Sequence, residues 1–165
     1  MSRISKYRGK RISEEEWVVG FYAQLPKVSL GATIVADGDL CAEDVADYII
    51  INKQKQHPNF SNSYPLEIVE CEQYEVAPDT VSQYIGVSDK NGKEIYEGDI
   101  VKDESVHLLG VVKFSERYLQ FVVDDVCDGE QDYSEFMNQV EVIGNIYENS
   151  DLLKEAENEQ IYFSD

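Results

Sequence analysis

The C-terminal half of this chain is punctuated too often to be anything but a set of short strands. Between Gln83 and Tyr147 the apolar and β-branched runs are brief, and turn-forming residues separate them. Gln83–Val87, Glu94–Tyr96, Ile100–Lys102, Gly110–Phe114, Tyr118–Val123 and Gln139–Tyr147 all read as strands. Asn91-Gly92 is a tight-hairpin signal, because both central residues of such a turn tolerate positive φ. Glu97-Gly98-Asp99 is a second turn. Short strands at this spacing predict a small closed or partly open β-barrel, and an SH3-like barrel is compatible with the order. The expected fold is mainly β: an SH3-like β-barrel in the C-terminal half, additional N-terminal strands and a few short helices.

The N-terminal half is less legible. Glu16–Ala23 is a strand by composition, stopped by Pro26, and Ser13–Glu16 before it reads as a turn. Gly31–Ala36 and Tyr48–Ile51 are strand candidates, with one helical turn between Cys41 and Asp47. Gln54–Pro65 is polar and reads as an exposed loop. Leu66, Ile68, Glu70, Glu72, Tyr74 and Val76 share one phase. The two glutamates inside that phase predict two short strands, or one with a bulge. Pro78 suits the first position of a short helix, and Asn149–Ala156 a capped one. The expected organisation is an N-terminal β segment over 1–75 with a long insertion at 27–65, a barrel region at 76–150, and a short helix with an acidic tail at 151–165. One integrated domain is the other option.

Charge narrows the function. Over 165 residues, 14 Lys and Arg face 33 Asp and Glu, for a net charge of −19. Such a chain is not a generic nucleic-acid binder, because phosphate binding needs a cationic surface. The cations are uneven. Arg3, Lys6, Arg8, Lys10 and Arg11 cluster before residue 14 with no acid among them. This arm either contacts phosphate, folds back on the acidic body, or stays solvated. No apolar run has the length of a membrane span, and the N-terminus lacks a signal-peptide stretch. The expected location is the cytoplasm. Cys41, Cys71 and Cys127 make no CxxC pair, so they read as free thiols in a reducing compartment.

Three blocks carry a family resemblance. They are Tyr7–Lys10 leading to Glu16–Gly20, then Tyr74–Val101, and then Val140–Asn149. Their order and spacing resemble the YopX-like family of phage and prophage proteins. The middle block is the most specific, and the resemblance is weak between Pro26 and Pro65. It implies a predominantly β protein encoded in phage or prophage genomes. It implies no activity, and it transfers no catalytic, cofactor-binding or metal-ligating residue.

The residues themselves add no catalytic signature. His57 and His107 stand in no local Ser–His or Cys–His pattern, and no phosphate-cradling glycine motif occurs. Asp124–Glu135 aligns with a twelve-residue calcium loop at its acidic positions and at Gly129. Val126 occupies a ligand position, however, and a strand precedes the loop where a helix is needed, so the segment reads as a hairpin or connecting loop. Trp17, Phe21, Phe114 and Phe121 read as core. Tyr84, Tyr96 and Tyr118 form either hairpin packing or an exposed patch for peptides or bases. No site residue and no cofactor is assigned. The leading reading is a non-enzymatic acidic module that binds a protein, itself basic, without membrane or nucleic acid. Self-association through a free sheet edge is compatible with it. The alternative is a nucleic-acid-associated factor that uses the basic N-terminal arm.

Overall fold

The computed structural model describes residues 5–26, 45–56 and 67–154. They form two compact units, parting between Val81 and Ser82. The expectations placed on 27–44, on Cys41, on His57 and on the acidic tail lie outside the described residues.

The first unit is an antiparallel sheet with the order β4-β3-β2-β1. Its strands are β1 (Tyr7–Lys10), β2 (Trp17–Pro26), β3 (Val45–Gln56) and β4 (Glu67–Glu75). β3 and β4 pair in one uninterrupted register from Tyr48↔Glu75 to Gln56↔Glu67. The break expected within 66–76 does not occur. Tyr74 donates its hydroxyl to Glu72, so a glutamate in the inward phase is matched by a polar neighbour. β3 also extends well beyond Tyr48–Ile51, into the stretch that composition assigned to a loop. Its backbone is paired with β4 along that length, and polar side chains do not oppose this in an antiparallel ladder. Ile49 and Val76 are fully buried, and Arg8 is buried with its guanidinium 4.8 Å above the Trp17 ring. After β4 the chain turns through a 3-10 helix, Pro78–Thr80, with proline at its start. Thr80 Oγ1 accepts the Lys10 N–H at 2.9 Å, tying that turn to β1.

The second unit holds the hairpin β5 (Ser82–Ser88) and β6 (Glu94–Tyr96) and a five-stranded antiparallel sheet. The sheet strands are β7 (Asp99–Asp103), β8 (Leu108–Ser115), β9 (Gln120–Asp125), β10 (Gly129–Gln131) and β11 (Glu141–Asn145). The spatial order is β10-β9-β8-β7-β11. Ile95, Val101, Leu108, Val112, Val123, Met137, Val140 and Val142 form its core, with Ile85 and Tyr133 packed against it.

The SH3-like barrel expected for the C-terminal half is not formed: the sheets are open. β10 and β11 stand at opposite edges of the five-stranded sheet and do not pair. Closure needs a first and a last strand long enough to hydrogen-bond. β10 has only three residues, and the chain then leaves the sheet through turns that bring Met137 and Val140 onto the core. These loop side chains pack on the same core as Ile95 of β6 and Ile85 of β5. The few short helices also reduce, among the described residues, to the Pro78–Thr80 turn and a four-residue helix at 151–154.

The Asn-Gly turn forms by a different geometry than expected. Gly92 alone has positive φ, at 83°. The Gly92 N–H donates to Asp89 O at 3.0 Å, and the Asp89 N–H to Lys93 O at 2.8 Å. This is the longer hairpin loop with glycine in its last position rather than the two-residue turn.

Candidate functional site

Residues with chemical potential gather at one end of the five-stranded sheet. The turn between β7 and β8 ends at His107, whose φ is 55°, and the turn between β9 and β10 holds Cys127 and Asp128. These three residues line one cleft of about 340 Å³, together with Val106, Leu108 and Tyr133. No spacing rule in the sequence joins His107 to Cys127. Only the pairing of β8 with β9 brings their turns together.

The carboxylate in the cleft wall is already committed. Asp125 is buried, and its Oδ1 accepts the N–H groups of Cys127 at 2.8 Å and Asp128 at 3.0 Å. Its Oδ2 accepts the Leu109 N–H at 3.1 Å. A carboxylate with three main-chain donors is a turn staple, with little capacity left to orient an imidazole or to bind a cation. Asp124 and Glu130, two more acids of the calcium-like segment, are held by Lys113 Nζ at 2.8 and 3.0 Å. The Ser115 hydroxyl donates to Glu130 at 2.8 Å. Most of the segment is thus the β9–β10 hairpin, in which Asp124, Asp125 and Glu130 serve the sheet. Among the described residues no group of three or more His, Cys, Asp or Glu is placed to hold a metal ion.

Hydrogen bonds to Asp124 and then to Glu130 push the Lys113 ammonium above its ordinary pKa. The Ser115 hydroxyl, and then Lys113, hold the Glu130 carboxyl below its own. All three side chains are about a third exposed, so water screens them. Lys113→Ala is expected to cost at most about 1 kcal/mol in urea unfolding. A loss above twice that would show a network better shielded than its exposure suggests.

The basic arm is largely structural where it is described. Arg8 lies in β1 over Trp17. Arg11 is ion-paired to Glu14 and lies 4.4 Å above the Tyr74 ring. Lys90, Lys102 and Lys154 hold Glu141, Glu104 and Asp151. Exposed acids, meanwhile, recur along the second unit at Glu116, Asp128, Asp132 and Glu135.

Tyr84 and Tyr96 follow the hairpin-packing alternative, while two phenylalanines depart from the core expectation. Tyr96 is buried, with the Tyr84 ring 5.6 Å away, so these two pack within their hairpin. Phe21 and Phe114, expected in the core, are 45% and 47% exposed. Phe114 shares its phase with buried Leu108 and Val112 but lies near the end of β8, past the covered part of that face, whereas Phe21 shares its phase with Val19, which is exposed too.

A family model described as YopX protein matches residues 6–154. No curated protein matches the chain. Among solved structures, the crystal structure of protein EF1440 from Enterococcus faecalis is similar. It has a TM-score of 0.49 and 21% identity, over 92% of this chain and 99% of that one. No helix among the described residues is long and apolar enough to cross a membrane.

Proposed function

This chain belongs to the YopX family of phage and prophage proteins, and from that premise we propose that it is a non-enzymatic accessory protein that binds a basic protein in the bacterial cytoplasm. The observation that carries this reading is the division of charge. Arg8, Arg11, Lys90, Lys102, Lys113 and Lys154 are engaged with rings or carboxylates of the chain itself, while the net charge is −19 and exposed acids remain. Such a surface draws a cationic partner and speeds encounter at low salt. The committed carboxylate of Asp125 supports a non-catalytic reading of the cleft.

Recovery of tagged protein from its natural host tests the reading. A stoichiometric protein partner is expected at low salt, resistant to nuclease and released as salt rises. With the purified partner, the association rate is expected to fall at least about tenfold between low and physiological salt. A partner retained unchanged in molar salt would sink the electrostatic account. Recovery that nuclease abolishes would favour the basic arm and nucleic acid instead.

A further inference from the structure

The β8–β9 hairpin ends in a conformation that its own residue disfavours. Leu119 has φ of 54°, in the left-handed region, and is 78% exposed. Its N–H closes the turn on Ser115 O at 2.8 Å. Glycine or asparagine would take this position without strain, whereas leucine meets a Cβ penalty there. Leucine also gains no burial in the chain alone. A large apolar side chain that is both strained and wet has no folding rationale, which makes the position a functional candidate.

The surroundings agree. Phe114 and Phe121 pair across the same hairpin end with rings 5.6 Å apart, edge to face, and Phe114 is nearly half exposed. Acids border this apolar end. Glu97 accepts the Phe114 N–H at 3.4 Å, Glu116 is exposed in the turn, and Asp132 is exposed where the chain leaves β10. The cation here, Arg117, lies 5.3 Å above the Tyr118 ring. A second copy of so acidic a chain would bring like charge onto like charge. A segment with an aliphatic side chain between lysines or arginines complements both features.

We propose that the β8–β9 hairpin end, with Leu119 at its tip and Phe114 and Phe121 behind it, is the docking surface for a basic, amphipathic protein segment. This rests on the binding role proposed above and gives it a place.

The test uses the full chain and two variants, Leu119→Gly and the neutralised triple Glu97→Gln, Glu116→Gln, Asp132→Asn. Three labelled peptides serve as probes: an amphipathic leucine–lysine peptide, its twin with serine for leucine, and its twin with glutamate for lysine. Fluorescence anisotropy reads binding, and sedimentation reads self-association. The wild type is expected to bind the leucine–lysine peptide at least tenfold tighter than either twin. Leu119→Gly should lose at least tenfold while melting at the same or a higher temperature, since glycine relieves the turn. The triple variant should lose affinity and salt sensitivity together. Equal binding by Leu119→Gly overturns the hairpin site while leaving an acidic binding module standing. No salt-sensitive binding by the wild type overturns both. Self-association of the wild type that Leu119→Gly abolishes overturns the basic partner in favour of a second copy.

Discussion

Asp89→Asn is expected to cost about 3 kcal/mol of folding stability at neutral pH. Asp89 is 5% exposed and sits at the head of the β5–β6 turn. Its Oδ1 accepts the N–H groups of Asn91 at 2.8 Å and Lys93 at 2.9 Å. Its Oδ2 accepts the Val142 N–H at 3.0 Å, from β11, 53 residues away. One carboxylate therefore shapes the turn and fastens it to the edge of the sheet. Asparagine keeps one oxygen for the turn but turns an N–H toward the Val142 N–H, leaving a buried donor without an acceptor. Burial alone raises the Asp89 pKa. The donors from Val142, Lys93 and Asn91 outweigh it and hold the value below the ordinary 3.8. A carboxyl depressed in the folded state stabilises fully above its unfolded pKa, and the contribution fades as pH falls through the lower folded value. Denaturant unfolding of wild type and variant should therefore differ most above about pH 5, and the difference should shrink as pH falls below about 4 toward the folded value. A difference that stays constant down to pH 3, or one under about 1 kcal/mol at pH 7, would remove Asp89 from this role.

Gly110→Ala should be as damaging, by a different mechanism. Gly110 is in β8 with Val101 of β7 on one side and Asp125 of β9 on the other. A Cβ there would lie 2.4 Å from the Asp124 carbonyl oxygen and 2.7 Å from Val123 Cγ1. The first obstacle is backbone, and strands on both sides hold β8 in place, so neither side can yield cheaply. Overpacking of this kind costs about 3 kcal/mol, with the core residue Val123 displaced as well. Thermal and denaturant unfolding measure the loss. A cost under about 1 kcal/mol would mean that β9 moves aside without disturbing the core.

Neither role stands out in the sequence. Asp89 reads there as one residue of a turn signal. Its bond to Val142 depends on a strand that arrives fifty residues later. Gly110 reads as the first residue of a strand, and its close approach to Asp124 exists only once β8 and β9 pair. His107 and Cys127 are likewise far apart along the chain and meet in one cleft through that same pairing. Leu119 reads as a strand residue within Tyr118–Val123, and only the fold places it in the turn before β9. Its left-handed φ is visible only in the fold.

What the sequence determined by itself was local. Alternation and turn chemistry located β5 to β9 and β11 but not the three-residue β10, Pro78 began the short 3-10 helix, and the ordered blocks identified the family. The acidic balance was also complete in the composition. Only the tertiary structure decided that the sheets stay open, that Met137 and Val140 cover the core, and that Phe114 remains half wet. The reason is that period-two alternation is the same in a closed barrel and an open sheet. Closure depends on whether the first and last strands have unpaired backbone of matching length. That is a property of residues distant in sequence, and three residues of β10 cannot supply it.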